Sequence, residues 1–296
     1  MRKPKITMNL LSRFTVWCTR PAAQNAAWIE QLQADGFNTL DLPALAIRSL
    51  SLEQTRLVVP PGLDQKEQIK LSVHSPRELR DKLYNYEHIV YVSRNAIMSL
   101  AKLLADLPAM DRAKKRRCVR HWPIGQSTSE LFHAELADRL PGTLMPSPAG
   151  MNSKTLYASM QKQLEPEEQV LMVRGKGGLP YLAESLNKAG VSVDMLECYE
   201  RISPPELEES AGNLHIDPSK TIITAFSGET LINLTTAIDQ FGDCSSKAVL
   251  RDLVVIVPQD RVVHLAESLG YTSVIRAKNA GAEAMRAALL HAAASV

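Results

Sequence analysis

Four short segments of this 296-residue chain combine hydroxyl side chains, glycines and a few cations: Val92-Ser93-Arg94-Asn95, Ile124-Gly125-Gln126-Ser127-Thr128, Arg174-Gly175-Lys176-Gly177-Gly178 and Phe226-Ser227-Gly228-Glu229. Each follows an apolar run and opens a helical pattern. At a turn of that kind backbone N–H groups point outward from the helix start, where the helix dipole favours negative charge. Ser, Thr, Asn and Gly also cap any ordinary helix, so each turn alone is explained by capping. Four in one chain would suit a ligand carrying many carboxylates.

Other chemistries find little support. Arg174–Gly178 matches neither the GxxxxGK[ST] nor the GxGxxG spacing of nucleotide loops. The histidines, at 74, 88, 121, 133, 215, 264 and 291, show no HExxH-like spacing, and none neighbours a nucleophile in a G-x-S-x-G setting. Cys18, Cys118, Cys198 and Cys244 form no CxxC pair, which argues against a sequence-local zinc site or a disulfide framework. Neither a metal centre nor a catalytic triad is legible.

The elements that position the turns follow from hydrophobic periodicity. Phe14 to Cys18 reads as a strand, and Pro21 opens a helix to about Asp35. Further strands are expected at 89–92, 119–124, 144–146, 170–173, 221–225 and 253–257, each leading to a helix, from Asn95, through Leu136, and from Ser153, Leu179, Glu229 and Arg261. Such alternation predicts an α/β protein with parallel sheets and helices on their faces. Leu42–Ile47 and Tyr199–Pro205 read as connectors. If the chain leaves one lobe at the first and returns at the second, the lobes are 1–42 plus 204–296, and 48–198, with linkers 43–47 and 199–203. Residues 52–75, with Pro60-Pro61-Gly62, look like a loop-rich insertion.

Bulk composition narrows the class. With 45% hydrophobic residues the chain can bury a large core, and its length favours two domains. Lys and Arg total 34 against 32 acidic residues, so there is no global field for nucleic acid. The basic run 112–117 lacks interleaved aromatics and reads as a solvated loop. The N-terminal apolar stretch is broken by Asn9, Ser12 and Arg13, and no run approaches a membrane span. A cytoplasmic monomer with reduced thiols is the expectation.

Over about 15–290 the sequence resembles the uroporphyrinogen-III synthase family. The most specific stretch runs from Val170-Leu-Met-Val-Arg174-Gly175-Lys-Gly-Gly178 through Leu182–Leu186 and Ala189-Gly190 to Leu196-Glu-Cys-Tyr199-Glu-Arg201, and is similar to the family's VLIVRGxGG…YxR block. Thr19-Arg20-Pro21, Val92–Ala96, Ile124–Thr128 and Ala225–Glu229 resemble its other turns in order and spacing. Departures are Tyr91-Val92 before Ser93, Lys154 where an acidic residue is frequent, Pro258-Gln259-Asp260, and the length of 52–75.

The resemblance implies two doubly wound parallel-sheet lobes of flavodoxin-like type, a two-stranded linker, and an active site in the cleft between lobes. It implies hydroxymethylbilane as substrate, with hydroxymethylbilane synthase placed to hand it over, no cofactor, and closure to uroporphyrinogen III with inversion of ring D. Carried over to this chain, substrate binding falls to Arg20, Ser93, Gly125, Thr128, Arg174, Ser227 and Gly228, and proton donation to the leaving hydroxyl falls to Tyr199. A non-catalytic protein that binds a polycarboxylated or tetrapyrrole ligand is the alternative.

Overall fold

The computed structural model describes residues 8–58, 73–109, 118–148, 151–165, 167–178 and 180–295; the basic run 112–117 and most of the 52–75 insertion fall outside them. In chain order the elements begin with α1 (Met8–Leu11), β1 (Thr15–Cys18), α2 (Ala22–Asp35), β2 (Asn38–Asp41), β3 (Ala46–Ser49) and β4 (Arg56–Val58). Next come α3 (Pro76–Leu83), β5 (His88–Tyr91), α4 (Arg94–Leu103), β6 (Arg120–Pro123), α5 (Gln126–Glu135), β7 (Thr143–Leu144) and α6 (Ser153–Met160). The chain continues through β8 (Gln169–Gly175), α7 (Tyr181–Lys188), β9 (Ser192–Ile202), α8 (Glu206–Gly212) and β10 (Thr221–Thr224). It ends with α9 (Gly228–Phe241), α10 (Cys244–Val249), β11 (Val254–Val257), α11 (Asp260–Ser268), β12 (Ser273–Arg276) and α12 (Ala282–Ser295).

Two compact units result, 1–46 with 202–296 and 47–201. In the first, five parallel strands lie in the order β2-β1-β10-β11-β12, which is the flavodoxin-like order with its reversal between β1 and β10. In the second, β7-β6-β5-β8-β9 are parallel and the order reverses between β5 and β8, the other doubly wound arrangement. β3 lies beside β9, and β4 pairs with β9 antiparallel.

Strand sequences explain the layering. β10 (TIIT) and β11 (VVIV) are β-branched and buried on both faces, as parallel strands covered by helices must be. Successive residues alternate sides: Trp17, Ile223, Val255 and Val257 pack in one cluster with α9 and α11, while Val16, Cys18, Ile222 and Ile256 pack in another with α2 and α12. In the second unit Ile89, Tyr91, Leu171 and Val173 face α4, and Val90, Val170 and Met172 face α6 and α7.

Two expectations shift. Arg56–Val58, inside the segment read as loop, is a strand, because Leu57 and Val58 find partners in Leu196 and Met195 across β9. Tyr199–Ile202, read as connector, continues β9 and stops before Pro204-Pro205, where the missing N–H groups end a ladder. No described helix is long and apolar enough to cross a membrane.

Candidate functional site

In open α/β sheets ligands bind beyond the carboxyl ends of the strands, at the point where strand order reverses. In the second unit that point lies between β5 and β8, so Val92-Ser93 and Gly175–Gly178 are neighbours, with Ile124-Gly125 next beyond β6. Ser93 is the N-cap of α4, in extended backbone, and its Oγ accepts from the Ala96 N–H at 3.3 Å. The same Oγ lies 3.1 Å from the Tyr199 hydroxyl.

That contact depends on a glycine. Tyr199 on β9 is in register with Gly175 on β8, and β8 stands between β9 and β5. A β-carbon on Gly175 would lie 2.5 Å from Tyr199 Cε2. Without one, the ring passes over β8 and reaches Ser93, leaving Tyr199 only 1% exposed. Arg201, two residues on, stands with its guanidinium carbon 5.9 Å from the same ring centre.

Arg174 is 5% exposed. Its Nε–H donates to the Gly175 carbonyl at 3.2 Å and its Nη1 to the Met195 thioether at 3.0 Å. Among the described residues no carboxylate forms an ion pair with it, and burial pushes its pKa below the usual arginine value. Gly178 makes room for it, since a β-carbon there would lie 2.5 Å from Arg174 Nη2. Both glycines of the RGKGG motif that show close approach are therefore explained by the side chains they admit, without any nucleotide.

These residues border a pocket of about 310 Å³, whose walls also include Val92, Ile124, Met172 and Leu182, with Asn152 at the start of α6 and Arg201. Asn152 caps α6 reciprocally with Thr155. Arg201 could have been found from its period-2 relation to Tyr199 on one strand. Thr128, in the first turn of α5, is 3% exposed and donates its N–H to the Gly125 carbonyl. Gly125 precedes α5 with φ +91°, the left-handed region that favours glycine. Neither is on the wall of that pocket.

Beside the site, Glu200 bridges Lys176 at 2.8 Å and Arg48, and hydrogen bonds from those two cations hold its carboxyl below the usual range. The bridge ties the glycine-rich turn to β9 and β3.

In the first unit the reversal lies between β1 and β10. The strand ends are joined by Thr19 Oγ1 donating to the Thr224 carbonyl at 2.7 Å and Thr224 Oγ1 donating to the Trp17 carbonyl at 2.9 Å. Arg20 follows β1, its guanidinium carbon 4.5 Å from the Phe226 ring centre and its Nη2 donating to Gln24 Oε1 at 3.0 Å. Burial lowers its pKa. Ser227 caps α9, accepting from the Thr230 N–H at 3.2 Å. A β-carbon on Gly228 would come within 2.7 Å of Leu265. Arg20, Ser227 and Gly228 thus sit together at one reversal point, and Ser93, Arg174 and Tyr199 at the other. The aromatic seat of Arg20 on Phe226 was not anticipated from sequence.

Comparison with known proteins agrees with these motifs. The sequence profile of the family described as Uroporphyrinogen-III synthase HemD matches residues 26–287. A uroporphyrinogen-III synthase of Salmonella typhimurium is 27% identical over 235 residues, covering 72% of this chain and 92% of that protein. One from Proteus mirabilis is 35% identical over 129 residues, 41% of this chain and 57% of that protein. The crystal structure of uroporphyrinogen-III synthetase from Helicobacter pylori superposes with a TM-score of 0.50 at 13% identity, covering 95% of this chain and 99% of that one, a likeness of fold. With its motif block, its doubly wound sheets and a profile match over most of its length, the chain belongs to the uroporphyrinogen-III synthase family.

Proposed function

We propose that this protein is a cyclising, dehydrating lyase that converts hydroxymethylbilane to uroporphyrinogen III. The observation that carries the reading is the meeting of Tyr199 and Ser93 hydroxyls at 3.1 Å over Gly175, at a reversal point that also holds Arg174. Membership of an enzyme family favours catalysis over a purely binding role.

Departure of the terminal hydroxyl as water requires a proton, and Tyr199 is the donor we assign, with Ser93 orienting its O–H. The resulting azafulvene cation attacks the substituted carbon of the last pyrrole, forming a spiro intermediate. That intermediate fragments and recloses with ring D reversed, and loss of a proton restores the pyrrole. Uncatalysed closure gives the uninverted isomer, so the protein's main contribution is to fix which carbon the cation meets. Such orientation needs many anchors rather than a strong acid and base. Arg20, Ser93, Gly125, Thr128, Arg174, Ser227 and Gly228 are the anchors we assign, acting on substrate carboxylates through cations, hydroxyls and helix-start N–H groups.

The test is a coupled assay in which hydroxymethylbilane is generated in situ and the oxidised products are separated as type I and type III isomers. Type III formed only in the presence of the protein supports the reading. Type I alone, with the protein present and folded, refutes it.

A further inference from the structure

Along β8 and β9 residues pair one to one from Gln169 with Ser192 to Arg174 with Glu197, and there the register slips, so that Gly175 stands opposite Tyr199 and Cys198 is left over. Leu196, Cys198 and Tyr199 all pack in one cluster with Ala96 of α4, although consecutive residues of a regular strand face opposite sides. An extra residue of this kind re-aims the side chain that follows it, and here it turns Tyr199 to the face where Ser93 lies. The Cys198 thiol fills the irregularity, 3.7 Å from the carbonyl oxygens of both Arg174 and Ala96.

The slipped register is fastened just beyond the bulge. The Lys176 N–H donates to the Tyr199 carbonyl at 2.9 Å. One step along each strand from the Gly175–Tyr199 pair, Lys176 Nζ donates to Glu200 Oε2 at 2.8 Å, and Arg48 Nε on β3 donates to Glu200 Oε1 at 2.7 Å. Each carboxylate oxygen therefore holds one neighbour of β9. Counting on without the slip from Arg174–Glu197, Lys176 would stand opposite Tyr199 and Glu200 opposite Gly177, so the ion pair across β8 and β9 favours the slipped register alone. The Glu200 side chain is 14% exposed, and its pairs are less screened than pairs in open solvent.

We infer that Glu200, with Lys176 and Arg48, is a register lock that keeps the β9 bulge in place and thereby aims Tyr199 at Ser93, which makes Glu200 a positioning residue for the proposed reaction. The inference rests on that reaction only for the role of Tyr199; the register and its ion pairs stand without it. A glutamine at 200 offers one acceptor oxygen to two cations, so the Glu200→Gln variant releases one neighbour of β9. Lys176 serves the lock and not the substrate, so its loss and the loss of Glu200 have the same effect.

The experiment uses the full chain and two readouts, amide hydrogen exchange and the type III assay, with urea unfolding to correct for any loss of folded protein. In Glu200→Gln and Lys176→Met the Lys176 amide should exchange at least about fivefold faster than in the wild type, the weight of one lost ion pair, while the Val90 amide in central β5 is unchanged. In the assay both variants should lose at least about fivefold in kcat with KM within about twofold, and Lys176→Arg, which keeps the charge, should restore most of it. Added to Tyr199→Phe, Glu200→Gln should cost less than about twofold more, because it acts through the hydroxyl already removed. Unchanged exchange at Lys176, or a kcat loss as large in the Tyr199→Phe background as in the wild type, overturns the inference. A rise in KM confined to Lys176→Met also overturns it and makes Lys176 a substrate anchor. Failure of type III formation by the wild type would instead overturn the proposed reaction, and the exchange measurement then decides the lock by itself.

Discussion

Replacing Arg174 by methionine removes a cation that is 5% exposed and has no ion-pair partner among the described residues, while keeping an unbranched chain of similar volume. Two hydrogen bonds are lost, to the Gly175 carbonyl and the Met195 sulfur, worth about 0.5–1.5 kcal/mol each. Against that stands the desolvation of a buried ion, of the order of several kcal/mol and only partly offset by the attraction of Glu197, which the variant no longer bears. Stability should therefore change by no more than about 1 kcal/mol or should rise. Activity should move the other way. A charge-assisted hydrogen bond to a substrate carboxylate contributes about 1.5–3 kcal/mol, and at about 1.4 kcal/mol per tenfold kcat/KM should fall about 10- to 150-fold. Because the bond forms with substrate and transition state alike, the loss should appear mainly in KM. Urea unfolding and the isomer-resolved assay on the same preparation measure both quantities. A variant that loses several kcal/mol of stability while keeping its kcat/KM would show Arg174 to be structural and refute the reasoning.

Tyr199→Phe keeps the ring and removes the hydroxyl, so kcat should drop about 10- to 100-fold with type III still formed and KM little changed; an unaltered kcat would remove Tyr199 from proton donation. Gly175→Ala forces a β-carbon to within 2.5 Å of the Tyr199 ring, and should match the Phe variant's activity loss and also cost about 1–3 kcal/mol of stability from overpacking. Stability should also fall in acid through His88, which is fully buried and accepts from Trp122 Nε1–H at Nδ1, so that its neutral form carries the proton at Nε2, 2.8 Å from Glu168. Burial lowers the His88 pKa against the upward pull of Glu168, so the unfolded chain binds a proton that the folded chain resists, and stability declines as pH drops from about 6.5 through the lowered value. Urea midpoints at pH 5 and 7.5 should differ, and His88→Gln should shrink the difference.

Much of this was legible in the sequence because the central strands are continuous apolar runs. Ile89–Tyr91, Ile222-Ile223 and Val254–Val257 could be nothing but buried strands between helices, and their ends fixed the turns. The edges were harder. β12 carries only Val274 and Ile275 as apolar residues and is half-exposed, and β4 is three residues long, so neither stands out from loop. Of the site, Ser93, Ser227 and the glycines announced themselves as turn residues. The neighbours that give them chemistry did not. Tyr199 reaches Ser93 across 106 positions and an intervening strand, and Asn152 and Arg201 meet Arg174 only through strand order, which no local pattern records. Gly175 and Gly178 of the RGKGG turn fit no nucleotide-loop spacing, and their reason emerges only from the ring of Tyr199 and the guanidinium of Arg174.

The decisive measurement is the fraction of type III isomer as increasing amounts of the protein are added to freshly generated hydroxymethylbilane. A rise from the uncatalysed type I product toward nearly complete type III, at amounts of protein far below the substrate, is what these residues predict. A product that remains type I at every amount of folded protein would contradict them.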